Sequence, residues 1–455
     1  MSNKIQKDFT QGSIGKLLIE FCIPFLLSNF IQACYSVGDM LIVGRFCSTE
    51  ALSGVNNGAQ ICNLLNMMIS GLAVSGTILV GQYFGAKREK DASETIGTMF
   101  SVMAIAGVVM TILMMTFSNH VIKLMNVPQE ARLYTKEYMN ICLLGTLFIF
   151  GYNAISAVQR GMGESKKPLC FVTIACILNV GLDLILVGPM GMGPKGAALA
   201  TITAQGVSML LAANYLRKHD FIFDFSLKSF AIRPDKMKLL LKVGIPSSIQ
   251  STISNLSFLI LTSIVNGFGV QASAAVGIVG RFNSFAVLPA VAMSSSVSAM
   301  AAQNIGAGKY GRAKKSLWYG AGIAFLLGAI VFSIAWIFTD QIMLMFMNEY
   351  DEKVILYGRQ YMHTFSFDYL LIPFAFCFNG LLNGAGYTKF TLVNNVFSSV
   401  IFRVPVALLL SKTALEVAGI GLAAPVASVA GGLISLMFIM SGKWQRSVTG
   451  IGSEG

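Results

Sequence analysis

Asp183 sits in NVGLDLIL (residues 179–186), inside an apolar run that opens at Pro168 and meets no other charge until Lys195. Asp39 has a similar setting in IPFLLSNFIQACYSVGDMLIVG (23–44), where it is the sole charge. A carboxylate isolated in hydrocarbon is costly, so it must be protonated, paired or bound to a cation. Two carboxylates close together also repel, and a proton or a cation relieves both penalties. Asn179 lies one helical turn from Asp183 on the same face, and Thr201 follows in the next apolar run. Both supply neutral oxygens suited to a hard cation. The chemistry open to Asp39, Asn179, Asp183 and Thr201 is therefore reversible binding of a proton or a sodium ion.

The elements that must position these residues follow from composition. The chain has 455 residues, 55% of them hydrophobic and 12% charged, with a mean hydropathy of +0.68. No soluble domain hides that much apolar surface. Apolar runs long enough to cross a hydrocarbon core of about 30 Å recur throughout. They predict an all-α membrane protein with twelve transmembrane helices: 14–43, 51–83, 92–118, 131–159, 168–188, 195–217, 237–266, 272–304, 313–339, 354–383, 389–411 and 417–442. No A-x-A-like cleavage signal follows the first run, so it is expected to be retained as a helix.

The net charge of +12 does not imply a nucleic-acid partner, because the basic residues form short clusters between apolar runs. Of the 33 Lys and Arg, 23 fall on one side, from Lys4, Lys7 and Lys16 through the Arg217–Lys242 cluster to Lys443 and Arg446. Eight, among them Arg45, Lys195 and Lys412, fall on the other. The positive-inside rule then places both termini in the cytoplasm.

The sequence is also written twice. KLLIEFCIP (16–24) lies over KLLLKVGIP (238–246), QYFGAKREKDA (82–92) over QNIGAGKYGRA (303–313), and GMGESK (161–166) over GAGYTK (384–389). Six apolar segments per copy, an even number, make the repeats parallel. The expected organisation is an N-terminal six-helix bundle at 1–218, a cytoplasmic linker at 219–236 and a C-terminal six-helix bundle at 237–455. In transporters built this way the substrate site lies between the halves.

Residues shared by the copies, such as Pro24 and Pro246, serve the fold, and Pro24 is the expected hinge of the first helix. Unshared polar residues say more: Asp39 aligns with Leu261, Asn179 with Phe402, Asp183 with Val406 and Thr201 with Ala424. Asp39 precedes outward-facing Arg45 by six residues and Thr201 follows outward-facing Lys195 by six, which puts each about 9 Å below the outer surface. Asp183 is sixteen residues beyond inner Lys167, or about 24 Å up the core. Three helices thus bring polar groups to one level in one copy, which a purely packing role for each aspartate does not require.

Weaker signals surround these four. Gln32, Tyr35 and Asp39 share one face of the first helix, and Asn153 and Ser156 lie three residues apart on the fourth. Gln32, Tyr35, Asn153 and Ser156 are candidate substrate-binding groups, because polar side chains in a bundle face its interior. The 24 methionines suit a pliable wall. Arg281 and Arg403 are the basic residues within apolar spans, and Arg403, beside Pro405, is read as a structural partner of an acid or of exposed carbonyls.

The duplicated halves, Pro24 and Asp39 in the first helix, the loops QYFGAK and QNIGAG, and Asn179-x-x-x-Asp183 together resemble the multidrug and toxic compound extrusion (MATE) transporters over essentially the whole chain. The resemblance implies a cation-coupled antiporter that expels bulky, often cationic, amphipathic compounds by alternating access. It is closest to the branch named for a DNA-damage-inducible protein, whose N-terminal cation site matches Asp39, Asn179, Asp183 and Thr201. The norfloxacin-exporter branch has instead an acid in the seventh helix, where this chain reads STISNLS (251–257). Asp368, at the outer end of the tenth helix, is a weak substitute for it.

Other classes fit poorly. A flippase for lipid-linked sugar or peptidoglycan precursors would need several basic groups for a pyrophosphate, and only Arg281 and Arg403 are candidates. An embedded enzyme would need a nucleophile with its base or a metal motif, and no His-Glu-x-x-His or Gly-x-Ser-x-Gly is present. The eight cysteines form no Cys-x-x-Cys pair, and His120, His219 and His363 fall near segment ends, so no metal beyond a coupling Na+ is expected. GMGPKG (191–196) matches a dinucleotide-loop pattern but follows no strand. The expectation is a multi-pass cell-membrane protein that works as a monomer on amphipathic small molecules, without an organic cofactor or enzymatic activity.

Overall fold

Long apolar stretches that contain few helix breakers give long helices, and the few breakers they do contain decide where those helices bend. The computed structural model describes residues 7–219, 221–347 and 349–450. Lys4, Asp220 of the expected linker, and the stretches 1–6 and 451–455 of the expected bundles lie outside the described residues.

In the first copy α1 is Ile14–Phe46, α2 Thr49–Gly85, α3 Glu89–Thr116, α4 Ser118–Leu124, α5 Gln129–Leu144, α6 Thr146–Gly161, α7 Lys166–Leu186 and α8 Gly193–Lys218. In the second, α9 is Pro234–Asn266, α10 Val270–Ala286, α11 Leu288–Gly306, α12 Tyr310–Ile337, α13 Thr339–Phe346, α14 Glu352–Phe365 and α15 Asp368–Gly384. Then follow α16 (Thr388–Val396), a π-helical segment Phe397–Arg403, α17 (Val404–Leu410) and α18 (Glu416–Met440). Among the described residues there is no strand. Among the described residues, with α10 and α11 taken as one helix and α16 through α17 as another, ten helices are long and apolar enough to cross a membrane, and twelve spans result when each bent pair counts as one.

The bent pairs correct the sequence reading. The fourth and tenth spans, expected as continuous helices over 131–159 and 354–383, are broken by 49° between α5 and α6 and by 43° between α14 and α15. At the first break Gly145 packs so close to α8 that a Cβ there would lie 2.3 Å from Ile202 Cγ2. At the second, Ser366 turns its hydroxyl back to the His363 carbonyl, 3.1 Å away. Asp368, expected at the outer end of the tenth helix, instead opens α15 at this bend, roughly midway along the span.

Two compact units emerge, one holding Ile23–Ser248, the other Phe9–Cys22 with the chain from Ile249 onward. The divisions fall beside Pro24 in α1 and just past Pro246 in α9. In the first unit α2 packs on α3, α5 and α6, and α8 on α5, α6 and α7. Residues of the expected linker are docked on α3 of this unit. Ser101 Oγ donates to the Phe230 carbonyl (2.6 Å), and the Arg233 amide donates to Thr98 Oγ1 (3.1 Å). Lys236, 4% exposed, is held by Asp91 and by the Tyr83 hydroxyl. Gly97 is needed there, since a Cβ would lie 1.9 Å from the Ser229 carbonyl oxygen.

In the second unit α11 packs on α12 and α15, and α18 on α14 and α15. Its stretch Phe9–Gly12 is clasped by side chains at the α11–α12 turn. Phe9, fully buried, donates its amide to Gln303 Oε1 at 2.8 Å. Arg312 donates to the carbonyls of Phe9, Gln11 and Gly12 at 3.0, 2.8 and 2.8 Å.

Candidate cation site of the first unit

Apolar packing builds the pocket wall before any polar group is considered. Val43 of α1, Val55 of α2, Tyr138 and Cys142 of α5, Val187 after α7, and Ala197 and Ala198 of α8 form one buried cluster. Val43, Val187, Ala197 and Ala198, all small or β-branched, let α1, α7 and α8 approach, and each of these helices carries one or more of the polar residues.

Asp39 on α1 is 7% exposed, while Asn179 and Asp183 on α7 are fully buried. The Asp39 and Asp183 carboxyls face each other so closely that a proton on either would be shared with the other. Tyr35, one turn before Asp39, donates its hydroxyl to Thr201 Oγ1 of α8 at 3.1 Å, and Thr201 donates its own hydroxyl to the Ala197 carbonyl at 3.0 Å. The same Tyr35 hydroxyl lies within electrostatic reach of both aspartates. Tyr35, a candidate substrate group, thus bonds Thr201 and stands near the two aspartates.

Polar bookkeeping shows what this space can hold. Asp39 Oδ1, both Asp183 carboxyl oxygens and the Asn179 amide oxygen and nitrogen are buried without a hydrogen-bond partner. Each such atom costs about 1–3 kcal/mol when left unsatisfied. The two aspartates act on each other. Lys195, the basic residue nearest along α8, is engaged by Glu137 at 3.1 Å. Four unsatisfied oxygens, two acidic groups and no base form a donor set for a small hard cation or for a proton shared between carboxyls. Among the described residues no group of three or more His, Cys, Asp and Glu could hold a metal ion.

A family model named MatE matches residues 24–185 and 246–409, one stretch in each copy. The chain belongs to the MatE family. It is 30% identical to the probable multidrug resistance protein YoeA of Bacillus subtilis over 427 residues, covering 92% of each chain. It is 29% identical to the probable multidrug resistance protein YpnP of the same organism over 438 residues, covering 96% of this chain and 97% of that one. A solved structure described as the outward-facing conformation of a multidrug resistance MATE transporter superposes with a TM-score of 0.90 at 22% identity, covering 97% of this chain and 99% of that one. The protein is thus a multi-pass membrane transporter of the MATE family and not an enzyme.

The remaining residues of this MATE protein fall into three places. Gln32 is exposed, Asn153 half-buried, and Ser156 on α6 is buried with its hydroxyl unpartnered. Arg281 on α10 is exposed, whereas Arg403 is buried. Two sets escaped the sequence reading. Tyr138 on α5, 4% exposed, lies within electrostatic reach of Asp39 and Tyr35; in the sequence it is a tyrosine in an amphipathic stretch, QEARLYTKEYMNICLL, with nothing to mark it. The second unit of the transporter holds a neutral network. Thr391 donates to Gln250 and Asn383 at 3.2 and 2.8 Å, Asn395 joins Ser254 at 3.0 Å, and Asn394 donates to Ser435 at 2.8 Å. Its amides recur as Asn394 and Asn395 and as Asn379 and Asn383, a spacing within apolar spans that could have marked them.

Proposed function

We propose that the protein is a cation-coupled antiporter, driven by protons or sodium ions, that exports bulky, often cationic, amphipathic compounds across the cell membrane by alternating access. The observation that carries this reading is the pair of buried carboxyls, Asp39 and Asp183, with unsatisfied oxygens and no base to neutralise them. Entry of a proton or Na+ changes the charge and hydrogen bonding around α1, α7 and α8. It biases the transporter only so far as the ion binds one access state better than the other. Pro24, which interrupts the α1 hydrogen-bond ladder while Ser28 Oγ returns to its carbonyl at 2.8 Å, is the hinge through which α1 responds. The multidrug names of the relatives support the substrate class, and the excess of basic residues in one set of loops supports cytoplasmic termini. No organic cofactor enters the cycle.

Dye efflux in inside-out vesicles, with pH and sodium gradients imposed separately, tests the reading. Wild-type protein should move dye under at least one gradient. Asp39→Asn and Asp183→Asn, inserted at normal levels, should fall to the rate of vesicles lacking the protein; full export by both would end the proposal.

A further inference from the structure

The linker stretch FIFDFSLKSF (221–230) is too apolar to lie free in water, and it packs on α3 as an aromatic cluster. Phe223, 1% exposed, stands edge-on to Phe100 of α3, to Phe225 and to Phe230, with ring centroids 5.6, 5.0 and 5.1 Å apart. One large apolar side chain stays outside this cluster. Leu227, which opens the 3-10 turn Leu227–Phe230, is 93% exposed, and its neighbour Lys228 is exposed too.

Depth decides what Leu227 meets. Glu94 is the last charge of α3, and Gly97 and Ser101, on which Ser229 and Phe230 are docked, follow it by three and seven residues. At 1.5 Å per residue these positions lie about 5 and 10 Å into the helix, the depth at which interfacial segments bury their apolar side. The turn therefore sits where headgroups give way to acyl chains, on the face of the protein that carries most of the Lys and Arg. An apolar side chain exposed at that level contacts lipid.

A cavity of about 270 Å³ adjoins the turn, between the end of α8 and the linker, lined by Arg217, Lys218, His219, Phe221, Asp224 and Phe225. Its walls are held in place. His219 Nδ1 meets the Tyr215 carbonyl at 2.9 Å, and the His219 and Tyr215 rings lie 4.3 Å apart. Lys167 of α7 rests over the same Tyr215 ring at 5.0 Å, and the Arg217 guanidinium over Phe225 at 5.9 Å. Two features oppose an anion here: Asp224, whose carboxylate accepts from the Ser226 amide at 3.1 Å, and the carbonyl end of α8, worth about half a negative charge. Arg217, Lys218 and Lys167 outweigh them with full positive charges.

We propose that this cavity binds the phosphate of an anionic phospholipid headgroup, with Arg217 and Lys218 as its cationic contacts and Leu227 reaching the acyl chains of the same lipid layer. A free phosphate ion offers the same charge but gives Leu227 nothing to bury against. Basic groups at a membrane surface and an apolar anchor beside them are the two signals that together hold a segment to anionic lipid.

Amide hydrogen exchange of the full chain in nanodiscs tests the assignment, comparing phosphatidylcholine alone with equal parts phosphatidylcholine and phosphatidylglycerol. Amides over 221–228 should exchange roughly fivefold more slowly when phosphatidylglycerol is present. Arg217→Gln with Lys218→Gln, both at exposed positions, should return them to the phosphatidylcholine rate, and Leu227→Ser should lose part of the protection. Lys314→Gln with Lys315→Gln, which removes the same charge from α12, should leave the protection intact. Equal exchange in the two discs would overturn the proposal, as would protection that survives Arg217→Gln with Lys218→Gln or that the α12 changes abolish equally. Inorganic phosphate added to phosphatidylcholine discs should not slow these amides; slowing to the phosphatidylglycerol level would assign the cavity to free phosphate and end the lipid reading. Protection unchanged by Leu227→Ser would remove the acyl-chain contact.

Discussion

Thr201 and Tyr35 distinguish the two ions that Asp39 and Asp183 can take. A proton shared between carboxyls needs no third ligand, whereas a sodium ion recruits neutral oxygens. Thr201→Val removes one such oxygen at nearly constant volume. Export driven by a sodium gradient should then weaken while export driven by a pH gradient stays near wild type; equal loss under both would place Thr201 in a structural role. Tyr35→Phe removes only the hydroxyl bonded to Thr201. A hydrogen bond of this kind contributes about 0.5–1.5 kcal/mol, so apparent ion affinity should fall roughly two- to tenfold, measured from the gradient needed for half-maximal efflux.

Helices α1 and α9 each carry an internal proline, and the unit divisions fall beside them. Proline removes one ladder hydrogen bond and clashes with the preceding turn, so it marks where a helix bends at least cost. Pro24→Ala restores the amide donor and stiffens α1. The expected outcome is a protein at least as resistant to heat as the wild type, with efflux slowed severalfold at saturating dye. Unchanged efflux would remove Pro24 from the cycle. The bend at Gly145 has another origin, the close approach of Ile202. A valine there would overpack α8 and cost about 1–3 kcal/mol, seen as a lowered melting temperature.

At the scale of the whole chain, the helix-end segments are fastened by polar side chains. Arg312 holds the carbonyls of Phe9, Gln11 and Gly12. Arg312→Ala should lower the local opening free energy of this stretch by about 1–2 kcal/mol, roughly tenfold faster amide exchange over Phe9–Gly12 with the membrane helices unaffected. The membrane class, the number of spans and the duplication were legible because hydropathy and repeat register are properties of consecutive residues. Asp39, Asn179, Asp183 and Thr201 stood out because a polar group in hydrocarbon is conspicuous wherever it occurs. Tertiary structure alone decided that Tyr35 joins Thr201, that Tyr138 approaches Asp39, that the fourth and tenth spans bend, and that the linker docks on α3. Those outcomes depend on which helix faces meet and how closely. A linear pattern records how apolar each residue is, but distances between helices come from the packing of side chains hundreds of residues apart.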